Sequence, residues 1–150
     1  MKLETDPIGD DEWLLRRVPA ERFRNDQTPL ISPNAFEPRI KGREPDTEGI
    51  SLYRAACLDH PDDVLVMVPI DKRHQTGIVR IQVSALAEPG LTARIAIDSR
   101  IRGHVVIPEL NAIAYADDKA KFIPIKLRLA ELASEQVIRW PQAEGESSIQ

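Results

Sequence analysis

Trp13-Leu14-Leu15-Arg16-Arg17-Val18-Pro19 reads as a β-strand closed by its proline, since proline removes a donor from a hydrogen-bonded ladder. Ala20 to Asn25 then forms a helical turn, and Asp26-Gln27-Thr28-Pro29 a chain reversal. Ile31 to Phe36 is expected to be extended or irregular, because Pro33 biases Ser32 away from the helical region. Pro38 to Gly49 has the charge, proline and glycine of an exposed, mobile loop. Ile50 to Ala55 returns to a strand or helix-start pattern, and Ser51 to Leu58 fits either.

Farther along, Val64-Leu65-Val66-Met67-Val68-Pro69-Ile70 is an unbroken apolar run between Asp63 and Asp71. Its pattern predicts a strand buried on both faces, central in a sheet. Ile78 to Ile81 begins a strand or helix, and Val83 to Ala87 favours a short helix stopped by Pro89-Gly90. Leu91 to Ile97 alternates as a half-buried strand does, and Gly103 to Ile107 is a further short strand. Pro108-Glu109 can open a helix, whereas Ala114 to Lys119 would also suit a hairpin turn. Ile125, Leu129, Leu132 and Ala133 recur at helical spacing, with Lys126, Arg128, Glu131 and Glu135 on the other sides. That stripe is expected to face the core; exposure of both Leu127 and Ala130 would instead mark an interaction surface. The fold class is therefore α+β: one compact domain with a mixed, mostly short-stranded sheet and a C-terminal amphipathic helix.

A chain of 150 residues with 42% apolar content is the size of one ordinary domain. Residues 1–12 read as a flexible acidic arm, 13–141 as the single domain and 142–150 as a flexible tail. The two ends carry the net negative charge, with seven acids against one base, leaving a body of 17 acids against 19 bases. So small a positive balance is no nucleic-acid footprint, and nucleic acid is not an expected partner. No apolar run is long enough to span a membrane, and the acidic start does not resemble a signal peptide, so the expectation is a cytoplasmic protein. The lone Cys57 allows no internal disulfide and reads as a buried small hydrophobe. Of the 20 bases 14 are arginine, a bias that suits planar contacts to carboxylate or phosphate.

Arg16-Arg17-Val18-Pro19, Ser32-Pro33-Asn34-Ala35-Phe36 and Gly49-Ile50-Ser51-Leu52 together resemble a loosely defined set of small bacterial proteins. That set has an arginine-proline start, a serine-alanine-phenylalanine motif, a serine-bearing strand and a histidine before a C-terminal helix. Gly103-His104-Val105 occupies the histidine's place, and the likeness covers roughly residues 13–139. This chain departs by inserting Pro33 and Asn34 between Ser32 and Ala35. The resemblance implies a setting near conflict or defence genes, without an established biochemical role for the set.

Arg17, Ser32, Asn34, Phe36, Ser51, Tyr53 and His104 are the candidate ligand-binding residues. Arginine, serine, aromatic and histidine groups around one cleft could grip a nucleotide diphosphate and stack its ring. An ADP-ribosyl-transfer site would also need a late glutamate, Glu109 or Glu131, in the same cleft. His60, Asp62, Asp63, His74 and His104 lack the spacing of a metal site, so no metal and no cofactor are expected. No Gly-x-Ser-x-Gly elbow and no phosphate or dinucleotide loop is present, and Ser32 is followed by a proline without an N–H. No catalytic residue is assigned on this basis. The leading expectation is a non-catalytic interaction or regulatory module, with a protein partner encoded nearby and the loop at 38–48 as recognition surface. A nucleotide-binding or ADP-ribosyl-transfer-like enzyme is the alternative.

Overall fold

The computed structural model describes residues 1–25, 30–98 and 100–141. The turn expected at 26–29 and the tail at 142–150 lie outside the described residues. Six strands form one sheet: β1 (Trp13–Pro19), β2 (Ile50–Arg54), β3 (Thr76–Gln82), β4 (Arg94–Ile95), β5 (His104–Ile107) and β6 (Val137–Arg139). Their order is β4-β5-β2-β1-β3-β6, and every pairing is antiparallel, where the sequence suggested a mixed sheet. Among the described residues three α-helices accompany the sheet: α1 (Ala20–Phe23), α2 (Ala112–Asp117) and α3 (Ile123–Glu135). The domain is thus α+β.

Strand alternation divides the core in two. On one face Leu14, Val18, Leu52, Val79, Ile81, Val105 and Ile107 pack with Phe36 and with Leu129, Ala130 and Ala133 of α3. On the other, Leu15, Tyr53 and Ile78 meet Val64, Leu65 and Ile101 in a smaller cluster. Helix α3 opens with Pro124 in its first turn, where a missing N–H costs nothing. Its buried stripe includes Lys126 as well as Leu129, Ala130 and Ala133, so it is rotated from the stripe read in the sequence. Lys126 Nζ is satisfied by the Tyr115 hydroxyl at 2.9 Å and Asn34 Oδ1 at 3.1 Å, with Glu37 at 3.6 Å. Leu127 is exposed but Ala130 is buried, and α3 is a core helix.

The run Val64 to Ile70 is not a strand. Pro61–Leu65 and Ile70–Gln75 are 3-10 helices, and Val66, Met67 and Ile70 lie 54%, 49% and 80% exposed. The local cause is a capping box: His60 Nδ1 accepts from the Asp62 N–H, and Asp63 Oδ2 from the His60 N–H. Together with Pro61 and Pro69, it commits the chain to turns before the apolar residues can pair. Arg73 then holds the bend by donating to the Val66 and Val68 carbonyls.

Residues 1–12, expected as a mobile arm, are tied to the body. Arg54, fully buried at the end of β2, pairs with the buried Glu12 at 2.8 Å. It also donates to the carbonyls of Glu4, Asp6 and Pro7. The Lys2 N–H reaches the Ala56 carbonyl, and Glu4 Oε1 accepts from the Gly103 N–H. Glu12 is the internal counter-charge of Arg54, which composition alone cannot distinguish from an acid of a solvated tail. Among the described residues no helix is long and apolar enough to cross a membrane.

Candidate functional site

The sheet face opposite α3 is only partly covered, and the uncovered part is a cleft of about 240 Å³. Arg17 of β1, Ser51 and Tyr53 of β2 and His104 of β5 line it. They share a face because Tyr53 lies opposite both Leu15 and His104, while Arg17 is two residues from Leu15 and Ser51 two from Tyr53. One wall is the segment from Glu44 to Gly49, with Arg39 at its rim. The irregular loop read as a recognition surface thus contributes directly. The other wall holds Met67, Asp98, Arg100 and Ile101.

Three of the seven candidates lie elsewhere. Phe36 is fully buried on the α3 face, beneath the Arg16 guanidinium. Ser32 caps the 3-10 helix Pro33–Phe36 by accepting from the Asn34 N–H, and the Asn34 side chain accepts from Lys126. Their roles are local structure and core closure. The grouping of Ser32, Asn34 and Phe36 with the other four is therefore corrected: they belong to a capped 3-10 helix packed on the α3 face and not to a strand that opens onto the cleft.

Within the cleft the hydrogen bonds are directional. His104 Nδ1 lies 2.5 Å from the Ala96 carbonyl, which can only accept, so that nitrogen carries the proton. In the neutral ring Nε2 is then an acceptor, and it lies 2.8 Å from Ser51 Oγ. The Tyr53 ring is packed between Arg17, 5.4 Å from its centroid, and the His104 ring at 5.3 Å. With 6% exposure it offers no free face for a ligand ring. Neither does Phe36.

The acids around the cleft are engaged. Three hydrogen bonds from the Arg100 side chain and one from its N–H outweigh partial burial and hold Asp98 down at about 2. Glu48 pairs with Arg94, Glu44 lies 3.8 Å from Arg100, and Asp46 accepts from the Arg39 N–H. Arg17 is different. It donates to the Val64 carbonyl at 3.2 Å and toward the Tyr53 hydroxyl at 3.4 Å, and no carboxylate pairs with it among the described residues. Neighbouring Arg16 points to the other face, where burial lowers it to about 10 and the Ala35 and Ser51 carbonyls satisfy it.

Neither late glutamate lines the cleft. Glu109 is held by the N–H and hydroxyl of Thr92, and Glu131 projects from exposed α3 surface. Among the described residues no three His, Cys, Asp or Glu side chains converge as a metal group would require. Ala96, Asp98, Arg100 and Met67 were not legible as site residues. The Asp98 and Arg100 pairing was the one local signal available. Compared with protein-family models, with curated proteins and with solved structures, the chain matches none of them.

Proposed function

We propose that this domain is an interaction module that takes an acidic group of a partner protein into the cleft, with adjoining apolar residues on the ledge beside it. The observation that carries this reading is that Arg17 and the half-exposed Met67 line the same cleft, with Arg17 donating to the Val64 carbonyl of the segment that holds Met67. Arg17 is a half-buried guanidinium held only by a carbonyl and a phenol, so a carboxylate would supply the planar partner it lacks. Met67 lines the cleft, and Val66 and Ile70, close to it in sequence, are also exposed. Clustered exposure of this kind marks interaction surfaces, and methionine adapts to varied partners. The cleft volume lies below the usual small-molecule range of roughly 300–1,000 Å³, which suits one side chain better than a dinucleotide.

The bacterial setting implied by the sequence motifs directs the search for the partner to neighbouring genes. Co-expressed with those gene products, the wild type is expected to form a complex that survives size-exclusion chromatography. Arg17→Gln and Met67→Asp, each verified to melt as the wild type does, are expected to lose it. Absence of any complex, or complexes indifferent to both substitutions, would count against the reading.

A further inference from the structure

The cleft also contains a paired nucleophile and base, and we infer that Ser51 is an acyl-accepting nucleophile activated by His104. The inference goes beyond partner recognition and stands on the Ser51–His104 pair. Ser51 Oγ and His104 Nε2 are 2.8 Å apart, within the distance at which a hydroxyl passes its proton to a general base. The base is itself oriented, because Nδ1–H donates to the Ala96 carbonyl. The Ala96 N–H donates in turn to the His104 carbonyl, which fixes the backbone on both sides of the ring. Nucleophile, base and a third group that sets the tautomer form the arrangement that covalent catalysis requires. Here a backbone carbonyl takes the place a carboxylate often fills. Sequence motifs could not show this, because Ser51 lies within a strand and not on a glycine-flanked elbow.

The substrate class is a carboxylic ester. Ser51 Oγ bonds to the acyl carbon as its proton moves to Nε2, and the carbonyl electron pair moves onto oxygen. Collapse of that oxyanion breaks the ester C–O bond, and the leaving alkoxide takes the proton from Nε2. Water then attacks acyl-Ser51 with Nε2 again as base, releasing the carboxylic acid and restoring the serine hydroxyl. The half-buried Arg17 guanidinium lines the same cleft.

The test is labelling with an uncharged alkyl fluorophosphonate, in which Ser51 Oγ would bond to phosphorus and expel fluoride. Intact mass and peptide mapping of the wild type are expected to show one adduct, located on Ser51. Ser51→Ala should remain unlabelled, and His104→Gln should label at least about 100-fold more slowly. An unlabelled Ser51 under conditions that fully label a known serine hydrolase overturns the inference, as does a His104→Gln rate equal to wild type. The wild-type mapping decides the matter even if a variant fails to fold. An uncharged probe needs neither a protein partner nor the exposed ledge, so failure here and failure of the recognition reading are separately visible.

Discussion

Arginine side chains in this molecule are chiefly employed in satisfying backbone carbonyls. Arg16 serves Ala35 and Ser51, Arg54 serves Glu4, Asp6 and Pro7, and Arg73 serves Val66 and Val68. A chain so rich in short irregular segments leaves many carbonyls without a ladder partner, and the guanidinium fork reaches two or three at once. The arginine bias was visible in composition, but its main target was not, since carbonyl geometry exists only after folding. Glu12 carries the sharpest electrostatic consequence. Burial raises it, yet hydrogen bonds from Arg54, the Gly9 N–H and Lys2 prevail and lower it from 4.5 to about 2. A carboxyl depressed in the folded state stabilises fully above its unfolded value and loses that contribution as pH falls through the folded one. The expected contribution is about 3 kcal/mol above roughly pH 4.5, shrinking toward pH 2. Urea unfolding of wild type and Glu12→Gln across this range should show the stability gap close on acidification, and a constant gap would refute the assignment.

Elements with a clear period were legible, and those decided by capping were not. β5 follows from its β-branched residues, β1 from an apolar run closed by Pro19, and α3 from its helical stripe even though Lys126 enters the core. The apolar run at 64–70 misled because periodicity cannot see a capping box at His60 and Asp63 that starts a 3-10 helix instead. Gly49 shows a similar dependence on context at the entry to β2. Its φ of +120° disfavours any side chain, and an added Cβ would stand 2.2 Å from the Ile107 carbonyl oxygen. Gly49→Ala should therefore cost about 3 kcal/mol, through strain and through separation of β2 from β5. Chemical denaturation measures this directly, and a substitution within about 0.5 kcal/mol of wild type would contradict the described backbone.

At the level of the whole molecule, the antiparallel order decides which candidate residues can meet. β2 lies between β1 and β5, so same-face residues of three strands open onto one cleft, while the α3 face takes Phe36. The sequence contained Arg17, Ser51, Tyr53 and His104, but their union needed strand order, a property of long-range pairing. The same topology leaves the apolar run at 64–70 outside the sheet rather than in a central strand, and its Met67 lines the cleft. The central claim is that this cleft recognises an acidic group through Arg17. Selection from a displayed library of random peptides, on wild type and on a folded Arg17→Gln variant, tests it most directly. The wild type should enrich peptides that join an acidic residue to a neighbouring large apolar one, and the substitution should weaken their binding about 10- to 100-fold. Enrichment of the same peptides with equal affinity by Arg17→Gln, or no enrichment by the wild type, would contradict the account.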